Sequence, residues 1–126
     1  MPKTILIVED EDSLRALLVE KLKSSGFSTI EAVDGQDCLE KLKTTTPNLI
    51  LLDVIMPNKD GMEVLYTLMQ DTKNKDIPVV VLSNKSDFGT TLAALNYGAV
   101  KFMIKANSSM ESIVQTINEI LHEGQP

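Results

Sequence analysis

Short, continuously apolar runs alternate along this chain with longer amphipathic stretches. Thr4 to Val8 is β-branched and apolar throughout, as a strand buried on both faces should be. Ser13 to Ser25 follows with Leu14, Leu17, Leu18 and Leu22 at helical spacing. Ser13 is the expected N-cap of that helix, and Gly26 stands where a C-cap glycine belongs. A short second strand is expected over Ser28 to Ala32, then a helix over Gly35 to Thr44 with Leu39 and Leu42 inward. Pro47 breaks the chain before a third strand, Leu49 to Leu52. The polar loop Pro57-Asn58-Lys59-Asp60-Gly61 leads to a helix from about Glu63 to Gln70. Pro78 precedes a fourth strand, Val79 to Leu82, and Phe88 to Tyr97 reads as a helix ended by Gly98. Val100 to Ile104 is the fifth strand, and Met110 to Leu121 is a last helix with Ile113, Ile117, Ile120 and Leu121 on one face.

Five strands alternating with five helices predict a doubly wound α/β domain. Buried strands joined by helices make a parallel sheet, and right-handed crossovers place helices on both of its faces. The 126 residues fit one domain, with a core over about 3–122 and a frayed tail. The apolar fraction of 43% can fill that core, so disorder throughout is excluded. Net charge is −6 and Arg15 is the only arginine, which argues against direct nucleic-acid contact. Cys38 is the only cysteine, so no internal disulfide can form and a reducing, cytoplasmic setting is expected. The apolar runs are too short for a secretory signal or a membrane span of ~20 residues.

In such sheets ligands bind at the carboxyl ends of the strands. Strand one ends in Glu9-Asp10-Glu11-Asp12, strand three in Asp53, strand four in Ser83 and strand five in Lys105. Singly, each has an ordinary reading as a helix cap, a turn hydroxyl or a solvated lysine. Together they bring carboxylates, a hydroxyl and an ammonium to one edge. Clustered carboxylates raise each other's pKa unless a cation joins them. Mg²⁺ is the usual partner of a few carboxylates plus phosphate oxygens. A carboxylate is also a nucleophile towards phosphorus, Ser83 can donate to a phosphoryl oxygen, and Lys105 can offset remaining charge.

At these residues the chain resembles the receiver domain of two-component response regulators, of the single-domain chemotaxis type. The likeness lies in Ile5 to Glu11, in Leu51 to Pro57 with Gly61, in Pro78 to Ser83, and in Ala94 to Ala99 through Lys105. The spacing is similar too, with 30 positions from Asp53 to Ser83 and 22 more to Lys105. The resemblance implies a flavodoxin-like sheet of order 2-1-3-4-5. It implies that Asp53 is the phosphoacceptor, Asp10 a direct Mg²⁺ ligand, Glu9 a ligand through water, and the Ile55 carbonyl a further ligand. Ser83 matches the switch hydroxyl, Lys105 the lysine that meets the phosphoryl group, and Phe102 the aromatic that changes rotamer; core packing is the plain alternative for Phe102. The implied donor is the phosphohistidine of a sensor histidine kinase or phosphotransfer protein. The implied output is a changed face of helix four, strand five and helix five that regulates a downstream protein, from a monomer or a phosphorylation-dependent dimer. The domain would be regulatory, catalysing only its own phosphorylation and slow dephosphorylation. With no output domain after the last helix, it is expected to act on a partner or as a relay intermediate.

Two positions depart from the family pattern. Asn84 follows the switch hydroxyl where a small residue is usual, and Ala106 follows Lys105 where proline is common. They keep open a degenerate receiver that acts as a phosphate-independent interaction module. An Mg²⁺-dependent aspartyl phosphohydrolase of the haloacid-dehalogenase type would place its nucleophile in an Asp-x-Asp after strand one, whereas the nucleophile expected here, Asp53, follows strand three and position 55 is Ile. A flavodoxin-like cofactor binder would need a phosphate-cradling loop where this chain has four acids.

Overall fold

The apolar runs become the strands of one sheet in a computed structural model that describes residues 2–53, 61–83, 93–105 and 108–122. The strands are β1 (Thr4–Val8), β2 (Ser28–Ala32), β3 (Leu49–Asp53), β4 (Val79–Ser83) and β5 (Lys101–Ile104). The helices are α1 (Asp12–Ser24), α2 (Gly35–Thr44), α3 (Gly61–Gln70), α4, of which residues 93–96 are described, and α5 (Met110–His122). All pairings are parallel and the order is β2-β1-β3-β4-β5, as the resemblance implies. The central strands β3 and β4 are buried at every residue, which is why they read as unbroken apolar runs.

Side-chain alternation along the strands divides the interior in two. Ile5, Ile7, Leu49, Leu51, Val80 and Leu82 face α1 and α5, which contribute Leu18, Leu22, Ile113 and Ile117. Leu6, Val8, Ile50, Leu52, Val79 and Val81 face α2, α3 and α4, which contribute Leu42, Leu65, Leu68 and Ala94. Met69 and Met110 pack against these layers as core filler.

The start of α1 corrects an expectation. Glu11, not Ser13, is the N-cap residue, and it makes no side-chain cap bond. The Glu11 N–H donates to Glu9 Oε2 at 3.1 Å, which holds Glu11 extended and lets the helix begin at Asp12. Ser13 already lies inside the helix and donates its hydroxyl to Glu11 Oε2. Leu17, expected at helical spacing with the inner leucines, is 55% exposed, because Leu14, Leu18, Val19 and Leu22 complete the buried stripe. The other end is as expected: Gly26 takes a positive φ of 96° past the helix. Asp34 caps α2 by accepting from the Asp37 N–H at 2.8 Å, and Asp37 Oδ2 accepts in turn from the Val33 N–H at 3.0 Å. Among the described residues no helix is long and apolar enough to cross a membrane.

Candidate functional site

β1 and β3 lie side by side at the point where the strand order reverses, so their carboxyl ends open a crevice. Glu9 and Asp53 stand there. By alternation Asp53 follows Leu49 and Leu51 onto the α1–α5 side, and Glu9 follows Ile5 and Ile7. Lys105, just past β5, continues the parity of Met103. The three side chains therefore converge on one side of the sheet rim.

Lys105 Nζ lies 2.9 Å from Asp53 Oδ2 and 2.8 Å from Glu9 Oε1. The first contact is an aligned hydrogen bond, while the second is an ion pair without that alignment. Glu9 and Asp53 are buried, at 2% and 4% exposure, and Asp10 beside them is exposed. One carboxylate oxygen from each of Glu9, Asp10 and Asp53 lies within 4.8 Å of the others. Burial raises the Glu9 carboxyl above its ordinary range, against the lowering pull of Lys105 and the Glu11 N–H. Burial also works against the Lys105 ammonium, but its bonds to Glu9 and Asp53 outweigh this and raise its pKa. Among the described residues the fold thus concentrates negative charge and meets it with the Lys105 ammonium.

This donor set fits a small hard cation. All three groups offer carboxylate oxygen, and Glu9 Oε1 is buried without an aligned hydrogen bond. Asp10 supplies the open, solvent-facing side through which an ion would enter.

Ser83, fully buried, ends β4 one step beyond the Asp53–Leu82 register pair and pairs with Ile104, next to Lys105. Its parity is that of Val79 and Val81, so it belongs to the opposite side of the sheet from Asp53. Phe102 is partly buried against the same α2–α4 layer. Ile55, Asn84 and Ala106 lie outside the described residues.

Arg15 was not among the expected site residues. Its guanidinium donates to the Glu9 carbonyl at 2.9 Å, to Asp12 Oδ1 at 2.6 Å and to Glu31 Oε1 at 3.1 Å. The available signal was that the chain's single arginine stands three residues after Asp12.

Residues 5–118 match the family model for the response regulator receiver domain. The chain is 39% identical over 111 residues to the alkaline phosphatase synthesis transcriptional regulatory protein PhoP of Bacillus subtilis, across 88% of this chain and 45% of that protein. It is 31% identical over 126 residues to the phosphate regulon transcriptional regulatory protein PhoB of Escherichia coli, across 100% of this chain and 55% of that protein. The chain spans about half the length of these relatives. Among solved structures, the Mn²⁺-bound form of response regulator Rcp1 is similar with a TM-score of 0.84 and 32% identity, across 99% of this chain and 98% of that one.

Proposed function

Because this chain belongs to the response regulator receiver domain family, we propose that it is a switch operated by phosphorylation of Asp53. The observation that carries this reading is the Lys105 ammonium held between Asp53 and Glu9, with Asp10 at the same rim. Receiver domains are regulatory rather than classical enzymes, and they generally use Mg²⁺.

In this reading the donor is a phosphohistidine of a sensor histidine kinase or phosphotransfer protein. An Asp53 oxygen attacks phosphorus in line; the P–O bond forms as the P–N bond breaks, and the imidazole leaves with a proton. Glu9, Asp10, Asp53 and the Ile55 carbonyl are the groups proposed to hold Mg²⁺, which when bound neutralises phosphoryl oxygens and aligns them for attack. The Mn²⁺-bound state named for Rcp1 supports a divalent ion here. Lys105 moves its charge from the carboxylates to a phosphoryl oxygen. Ser83 donates to another, drawn across the rim from the opposite side of the sheet. Phe102 then repacks against the α2–α4 layer, and the face of α4, β5 and α5 shifts its population between two shapes. Ile55, apolar and branched, is proposed to hinder attacking water and lengthen the phosphorylated state.

We read residues 1–126 as one receiver domain. PhoP and PhoB are named as transcriptional regulatory proteins, so control of transcription is a proposed output of the switched face.

The test is incubation with Mg²⁺ and acetyl phosphate, followed by intact-mass measurement beside an Asp53→Asn control. A gain of one phosphoryl group that needs Mg²⁺ and is absent in the control is expected. No gain with the fold intact would favour the phosphate-independent module.

A further inference from the structure

Glu9 and Asp10 can act on one cation only if their side chains leave the backbone at a fixed mutual angle. That angle is set by the peptide plane between them, which is rigid and carries the Glu9 carbonyl. The Glu9 N–H is already fixed by the Ala32 carbonyl at 3.0 Å, one step beyond the β1–β2 ladder. The Glu9 carbonyl accepts from Arg15 Nη1 at 2.9 Å. Arg15 is itself held on two further sides, by Asp12 in the first turn of α1 and by Glu31 on β2. Its side chain is only 13% exposed. Three nitrogens serve three acceptors, and the planar guanidinium fork spreads these donors over separate atoms where an ammonium would have to reach all three from one.

We propose that Arg15 is a positioning residue for the cation site, pinning the Glu9–Asp10 peptide plane so that both carboxylates face the ion. This rests on the Mg²⁺ reading of Glu9, Asp10 and Asp53. Arg15 touches no reacting atom and acts only through the backbone.

Electrostatics and positioning predict opposite signs. Removing a positive charge beside an acidic cluster should tighten binding of a cation. Releasing the peptide plane should weaken it, by about tenfold if Arg15 behaves like other groups that orient metal ligands.

The experiment is calorimetric titration of Mg²⁺ into the parent, Arg15→Met, Arg15→Lys and Glu31→Gln, with urea unfolding of each. The expected result is about tenfold weaker binding in Arg15→Met and a smaller loss in Arg15→Lys, with roughly a two- to threefold loss in Glu31→Gln to which the lost negative charge also contributes. Unchanged or tighter Mg²⁺ binding in Arg15→Met, even with a lower urea midpoint, would overturn the proposal. If Arg15→Met does not fold, Arg15→Lys decides, since it keeps the charge and loses the fork, and parental affinity there overturns the proposal. A parent that binds no Mg²⁺ would overturn the site reading itself, and this inference with it.

Discussion

Replacing Lys105 with methionine keeps most of the side chain's volume and removes its charge. In the parent the ammonium sits 2.8 Å from Glu9 and 2.9 Å from Asp53. Without it, two carboxylates with oxygens no more than 4.8 Å apart face each other. At an effective dielectric of roughly 20, like charges at that distance repel by about 3.5 kcal/mol. Water and counterions reach the open rim beside Asp10 and screen part of this. We therefore expect Lys105→Met to lose about 2–3 kcal/mol at pH 7, below the full cost of breaking a deeply buried pair. The cost should depend on pH. Glu9 has a folded pKa above its unfolded value, so its titration favours the fold below the unfolded pKa and disfavours it as pH rises through the folded one. Losing Lys105 removes a lowering influence and raises that pKa further. The deficit should be full at pH 7 and shrink as Glu9 takes up its proton in acid. Mg²⁺ should restore stability by mass action, and more in the variant than in the parent, since no ammonium competes for the oxygens. Urea unfolding in EDTA and in Mg²⁺, at neutral and acid pH, measures all three effects. A variant as stable as the parent at pH 7 in EDTA would refute the reasoning, as would a deficit that ignores pH.

Gly98 adopts φ 109°, and a Cβ there would lie 2.5 Å from Met69 Sδ. Gly98→Ala should cost about 1–3 kcal/mol in urea unfolding, and adding Met69→Ala should recover the steric part only; a parental midpoint in Gly98→Ala would sink this account. Burial, with Asp37 adding to it, pushes the Cys38 thiol up to about 12 from an ordinary 9.0. The protonated thiol therefore favours the fold below pH 9, and that contribution, about 4 kcal/mol, is lost as pH rises towards 12. Cys38→Ala should flatten the alkaline limb of the stability curve, and an unchanged limb would count against it. Asp34→Ala removes the α2 cap and should cost about 1 kcal/mol by thermal melting, with Asp34→Ser restoring most of it.

The fold was legible because β1, β3 and β4 are short, almost wholly apolar runs. Thr4–Val8 and Val79–Ser83 could hardly be read otherwise. Boundaries were less legible where a side chain outbid propensity. Serine is the better cap in general, yet the Glu11 N–H bond to Glu9 moved the helix start to Asp12. The convergence of Glu9, Asp10, Asp53 and Lys105 followed from topology alone, since parallel strands bring their carboxyl ends to one rim. Arg15 was not legible in that way. Its function depends on Glu31, sixteen residues away and brought alongside only by the β1–β2 register. Leu17 shows the limit of periodicity: a helix needs only one stripe, and the spacing does not say which neighbouring leucine is left over.

The division of the interior by the sheet bears on how such a protein can vary over evolutionary time. Among the described residues the α1–α5 and α2–α4 layers form two separate packed clusters, because each residue of β1, β3 and β4 commits to one side. An exchange of leucine or isoleucine in one layer is felt first by the neighbours within that layer. What couples them is the rim, where Asp53 and Lys105 reach up from one side and Ser83 from the other. Drift deep in either layer leaves these rim residues in place, while the packing around Phe102 stays tied to the proposed switch. On the proposed reading, a lineage could vary much of either buried layer away from Phe102 and keep the same rim.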